Sequence, residues 1–99
     1  KRRMDVVVGI SYSDSIDKGF EALQEVIKGE ERFLPDPEPR MMVKEMADSS
    51  INLALRAWAP IDQYWDVVWD VNKKVKEGIE AKGLSIPFPQ RDVHMIAEQ

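Results

Sequence analysis

The side chains able to do chemistry are few and scattered. His94 is the only histidine, two residues after Asp92. A lone imidazole near a carboxylate is usually a structural pair, and no second histidine completes a metal site or an H-E-x-x-H helix. Asp66 and Asp70 stand one helical turn apart, the spacing of an acid–base or metal-binding pair. Helix first turns favour acids in any case, and lysines follow Asp70, so a solvated face is the better reading. Ser49 and Ser50 have no base nearby to activate a hydroxyl. Gly9, Gly19, Gly29, Gly78 and Gly83 are dispersed and form neither a phosphate loop nor a dinucleotide fingerprint. The chain has no cysteine, which excludes disulfides, thiolate catalysis, iron–sulfur clusters and cysteine zinc sites. The expectation is a protein that is not an enzyme and uses no cofactor or metal.

The scaffold behind these residues is that of one ordinary globular domain. Ninety-nine residues with 43% hydrophobic and 32% charged side chains can bury a core without staples. Fourteen basic against eighteen acidic residues leave a net charge of −4, which argues against a nucleic-acid surface. The apolar runs are too short to cross a bilayer. Lys1-Arg2-Arg3 leads into a strand pattern and not an apolar signal segment, and three cationic side chains are little for lipid headgroups to hold. The lack of an initiator methionine reads as a piece of a longer protein.

Period-2 and period-3.6 patterns divide the chain. Residues 5–12 alternate as a strand, with Val6, Val8, Ile10 and Tyr12 on one face. Ser13, Asp14 and Ser15 are helix N-cap candidates, Asp14 and Asp17 suit the helix dipole, and Ile16, Phe20, Leu23 and Ile27 make one stripe. Gly29 is placed to end that helix. Residues 30–39, with three prolines, read as a loop. Residues 40–47 and 50–59 read as two strands joined at Asp48-Ser49, a hairpin. In the second, Ile51, Leu53, Leu55, Ala57 and Ala59 share a face. A second helix is expected after Pro60, with Asp62 as N-cap and Trp65, Val68, Val75 and Ile79 as its stripe. An Asp70–Lys74 pair supports it, lysines load its C-terminal half, and Gly83 follows its end. Trp65 and Trp69 could form a ligand box, but core packing with an interface edge is the default. Residues 86–96 alternate after Pro87 and Pro89 and look like an edge strand.

The order β-α-β-β-α-β predicts an α+β fold: a ferredoxin-like β-α-β-β-α sandwich, with a C-terminal strand available to pair between subunits. RNA-recognition motifs share this order but need stacking aromatics on a basic sheet. The central strand patterns here supply only Trp58 and Tyr12.

Four stretches carry a resemblance: Arg3-Met-Asp-Val-Val-Val-Gly-Ile-Ser-Tyr-Ser-Asp, Asp48-Ser-Ser-Ile-Asn-Leu, Tyr64-Trp-Asp-Val-Val-Trp-Asp-Val, and Gly83-Leu-Ser-Ile-Pro-Phe-Pro-Gln-Arg-Asp-Val-His. Together, and with Leu34-Pro-Asp-Pro-Glu-Pro-Arg, the chain resembles the C-terminal cytoplasmic domain of the MscS family, the mechanosensitive channels of small conductance. The resemblance implies residues 4–84 as an α/β domain of a cytoplasmic cage and residues 85–99 as a C-terminal strand and tail in an oligomer barrel. It further implies a homoheptamer, a place on the cytoplasmic face of the inner membrane, and attachment through transmembrane helices that this soluble piece lacks. The partners would be further copies of the chain and no nucleic acid. The implied oligomer interface is Pro87, Phe88, Pro89, Gln90, Arg91, Asp92, Val93, His94 and Met95. Pairing there should begin at about Gln90, past the prolines. Val93 and Met95 are favoured toward the barrel axis, because a ring of aspartates would repel. The function so implied is the cage and oligomerisation module of a channel opened by membrane tension, releasing ions and small solutes on osmotic downshock. The alternative is a stand-alone ferredoxin-like regulatory domain that binds a small ligand.

Overall fold

The computed structural model describes residues 1–87. Its elements follow the order β1 (Arg2–Ile10), α1 (Ile16–Gly29), β2 (Arg40–Met46), β3 (Ile51–Ala59), one turn of 3₁₀ helix (Ile61–Gln63) and α2 (Tyr64–Ala81). The strands form one antiparallel sheet in the order β1-β3-β2. β1 and β2 therefore run parallel with β3 inserted between them, the split β-α-β arrangement that the element order implied.

Alternation places Met4, Val6, Val8 and Ile10 of β1 and Ile51, Leu53, Leu55, Ala57 and Ala59 of β3 on the inner face, all buried. Both helices cover that face. α2 adds Tyr64, Val67, Val71, Val75 and Ile79, and α1 adds Ala22, Leu23 and Val26. The hairpin between β2 and β3 closes at Asp48-Ser49, with the Ala47 amide donating to the Ser50 carbonyl at 2.8 Å. A register shift between Val43 and Glu45 twists β2 near that turn.

Several expected details are corrected. β1 begins at Arg2 and ends at Ile10, so Tyr12 lies beyond the strand, exposed, with its hydroxyl donating to the Ala47 carbonyl. Its partner strand supplies the reason, since Ala59 and Trp58 pair with Arg2 and Arg3. In α1 the large residues Ile16, Phe20 and Ile27 flank the contact, and Gly19 and Ala22 occupy it because the helix approaches β3 closely. In α2 the buried stripe is turned toward Tyr64, Val67 and Val71, leaving Trp65 52% exposed and Val68 only partly buried. Asp62 falls in the 3₁₀ turn and does not cap α2, whose N-cap is Gln63 without a side-chain bond. Gly29 is the last residue of α1, but the cap is Glu30 in an extended conformation. Gly83 does take the left-handed φ of +79° that a helix-terminating glycine allows.

Candidate functional site

Two side-chain constellations fix how the ends of the sandwich are joined. The first lies where α2 hands the chain to its C-terminal segment. Gly83 reverses the backbone, and Leu84 is buried against the core. Ser85 then meets the end of β1: the Ser11 amide donates to the Ser85 carbonyl at 3.2 Å, and the Ser85 amide donates to Asp14 Oδ2 at 2.8 Å. The same Asp14 oxygen accepts from the Ser11 amide at 3.2 Å. One carboxylate thus brackets two backbone segments, its own neighbour Ser11 and Ser85, 71 residues further along the chain from Asp14. It also stands just before α1, whose N-cap is Ser15, accepting from the Lys18 amide at 3.2 Å. Asp14 was a cap candidate by sequence; its tertiary role has no local signal.

The second constellation is a charged clasp at the opposite end of α1. Glu30 is the one buried charged residue among those described, its side chain 3% exposed. Arg32 embraces it in bidentate fashion, Nε to Oε2 at 2.7 Å and Nη2 to Oε1 at 2.8 Å, and the Arg32 amide adds a bond at 3.0 Å. From α2, Lys74 Nζ reaches Glu30 at 3.3 Å and Asp70 accepts from Arg32 at 2.9 Å. The Arg32 bonds hold the Glu30 carboxyl down at about 2 from its ordinary 4.5, outweighing the opposing effect of burial, and Lys74 assists. The Arg32 guanidinium is correspondingly pushed up, by Glu30 first and Asp70 second.

The clasp overturns the expected Asp70–Lys74 pair within α2. Both residues reach outward, because a buried carboxylate draws cations more strongly than an exposed one a turn away. The turn-spaced pairs that α2 does make are Lys73–Glu77 and Lys76–Glu80. Its last turn carries no basic residue. Lys82, just past the end, binds Glu25 of α1 at 2.6 Å, with Glu21 at 3.7 Å, and both raise its pKa. The lysines expected to load the C-terminal half of α2 are thus ion-paired, Lys73 and Lys76 within the helix and Lys74 and Lys82 with acids of α1 and its cap.

The candidate catalytic groups are not brought together. Asp70 is engaged with Arg32, and Asp66 projects from α2 into solvent. Among the described residues no group of His, Cys, Asp and Glu is arranged to hold a metal ion. His94 lies outside the described residues, as do Phe88, Pro89, Gln90, Arg91, Asp92, Val93 and Met95 of the expected interface. Pro87 is described, half-buried in irregular chain two residues past the Asp14 bracket. No helix among the described residues is long and apolar enough to cross a membrane.

Comparison with known proteins matches residues 4–86 to the family model "Mechanosensitive ion channel MscS, C-terminal". An uncharacterised MscS family protein of Archaeoglobus fulgidus is 40% identical over 92 residues, covering 93% of this chain and 32% of that protein. A small-conductance mechanosensitive channel of Edwardsiella ictaluri is 37% identical over 96% of this chain and 33% of its own length. The chain thus spans about a third of the length of these relatives. Among solved structures, Helicobacter pylori MscS in a closed state superposes with a TM-score of 0.81 and 25% identity, over 88% of this chain and 35% of that one.

Proposed function

Because this chain belongs to the MscS family of mechanosensitive ion channels and matches its C-terminal region, we propose that it is the cage and oligomerisation module of a channel opened by membrane tension. In this reading residues 4–84 form the wall of a cytoplasmic cage. Residues 85–99 form the strand and tail through which copies assemble, as a heptamer in the whole channel. The module is a structural part and not an enzyme. It attaches to the inner membrane through helices elsewhere in the protein and reaches no nucleic acid. Opening under osmotic downshock would belong to the whole channel, with this module shaping and holding its cytoplasmic end.

The observation that carries the reading is the Asp14 bracket. Ser85 is pinned to the end of β1, so whatever follows Pro87 leaves from a fixed corner of a rigid sandwich. A segment launched with defined position and direction is what subunits need to meet repeatedly in the same geometry. Pro87 and Pro89 remove ladder donors at its start, which suits a strand that joins partners beyond the domain better than one continuing its own sheet. A ring of such strands would leave no open edge.

The test compares the whole chain with a version ending at Ser85 by size-exclusion chromatography with light scattering. The whole chain should self-associate as concentration rises, and the shortened one should associate at least about tenfold more weakly while keeping its far-UV circular dichroism. Equal association by both would remove the tail from assembly. A monomeric whole chain that merely loses stability on shortening would favour the stand-alone domain, with residues 86–96 as its own edge strand.

A further inference from the structure

β1 and α2 are tied to each other at both ends. At its start β1 meets the start of α2: Tyr64 is buried, and its hydroxyl donates to the Arg3 carbonyl at 3.0 Å. The Arg2 guanidinium lies over the same Tyr64 ring, 4.4 Å from its centroid, and over the Trp65 ring at 5.1 Å. At its far end β1 runs into Ser11. There the backbone bond and the Asp14 bracket hold Ser85, just past the end of α2, and Leu84 beside it is buried. β1 and α2 therefore run the same way, side by side. Their lengths match, since nine residues of strand span about 30 Å and eighteen of helix about 27 Å. Between the ties, Val67, Val71, Val75 and Ile79 of α2 share one core with Met4, Val6 and Val8 of β1. On its other side β1 is paired with β3 throughout, from Arg2 with Ala59 to Ile10 with Ile51.

We infer that β1 and α2 form a load-bearing frame that carries a pull between the entry at Lys1 and the exit at Pro87 without lengthening. A pull along that line runs parallel to both members. It passes from Pro87 to Lys1 by two routes. One goes through the Asp14 bracket into the covalent chain of β1. The other goes along α2 to Tyr64 and across to Arg2 and Arg3. Neither tie slips alone, because the other member holds the distance, so both ties and the packed interface share the load. A pull between two points at the same end acts differently. Applied at Lys1 and Ile61, it opens the β1–β3 pairs one at a time, starting from Arg2 and Ala59.

The inference rests on the assembly reading above, in which this module joins the rest of the channel on one side and its C-terminal strand on the other. The frame then passes a displacement of one onto the other while the sandwich stays intact.

Optical tweezers read the frame on single molecules. The chain has no cysteine, so a handle attaches only where one is introduced. Lys1→Cys/Pro87→Cys loads the frame along its length, and Lys1→Cys/Ile61→Cys, at an exposed site of the 3₁₀ turn, peels β1. Held at the same force, the first pair should unfold at least about tenfold more slowly, because forced unfolding reads the barrier along the pulled direction. Asp14→Ala should speed the first pair about fivefold, as loss of a hydrogen bond at the tie does, and leave the second unchanged. Asp14→Asn, which keeps an acceptor oxygen, should restore the slow rate. Equal rates for the two pairs overturn the frame, and this comparison stands without any change at Asp14. An equal effect of Asp14→Ala on both pairs overturns it as well, since a residue of ordinary structural value weakens every pulling direction alike. A chain that stays monomeric in light scattering strikes the assembly reading and leaves these rates untouched, so the two failures are told apart.

Discussion

A buried carboxylate with an arginine, a lysine and a backbone amide around it makes Glu30 the side chain whose charge the fold uses most directly. Its pKa is depressed to about 2, so the ionised form is bound more tightly by the folded state than by the unfolded chain. The stabilisation is full above the ordinary value of 4.5 and is lost as pH falls through that range toward 2. At about 1.4 kcal/mol per tenfold change in proton affinity, holding Glu30 ionised and not protonated favours the folded state by about 3 kcal/mol at neutral pH. Glu30→Gln should therefore lower stability at pH 7 by about 1–3 kcal/mol and flatten the decline below pH 4.5, both read from urea midpoints across pH. An equally steep decline in the variant would place the acid sensitivity elsewhere. Asp14 offers a second test at this scale. Asp14→Ala removes the acceptor of the Ser11 and Ser85 amides and should cost about 1–2 kcal/mol. Its particular signature is faster hydrogen exchange at the Ser85 amide while the core amides of β3 stay protected.

At the scale of elements, the seating of α1 on the sheet turns on a missing side chain. A Cβ at Gly19 would lie 2.5 Å from Leu53 Cδ1, and Leu53 is fully buried between both helices and the sheet. Gly78, where α2 passes α1, is different: a Cβ there would sit in ordinary contact, 3.8 Å from Ala22 Cβ. In an isolated helix, alanine would be better than glycine by about 1 kcal/mol. Here Gly19→Ala should instead destabilise by about 1–3 kcal/mol, because the new methyl would force the fully buried Leu53 out of its place. Leu53→Ala alone should cost about 2–5 kcal/mol, as deletions in a close-packed core do. The double variant should lose distinctly less than the two single losses added, since the new methyl enters the space the leucine vacated. Additive losses in chemical denaturation would mean that α1 shifts on the sheet instead of pressing on Leu53.

For the molecule as a whole, the sandwich reads as a rigid body with two ion-pair systems across its helical layer, Glu30–Arg32–Asp70–Lys74 at one end and Lys82–Glu25 near the other. The second pair is surface-exposed and contributes little by itself, but it holds the end of α2 against α1 close to the point where the chain departs. Asp14 links the same departure point to β1. Loosening the bracket should therefore weaken self-association as well as stability. Asp14→Ala, measured by light scattering under conditions where it remains fully folded, should associate more weakly than the unaltered chain. Unchanged association would mean that the C-terminal segment finds its partners without a fixed origin.

Local pattern determined the element order from β1 to α2, the turn at Asp48-Ser49, the inner faces of β1 and β3, and the helix end at Gly83, because alternation, turn chemistry and glycine conformation act within a few residues, while the expected strand at 86–96 lies mostly outside the described residues. The four quoted stretches, read together, carried the family as well. The rotation of α2, which buries Tyr64, Val67 and Val71 and leaves the tryptophans outside, was decided by docking on β1. Both candidate stripes of that helix are apolar, and only the sheet's shape chooses between them. The partners of Asp14, Asp70 and Lys74 were likewise settled by tertiary structure. A charge pairs with whichever opposite charge folding brings nearest in the least polar surroundings, and sequence distance carries no record of that.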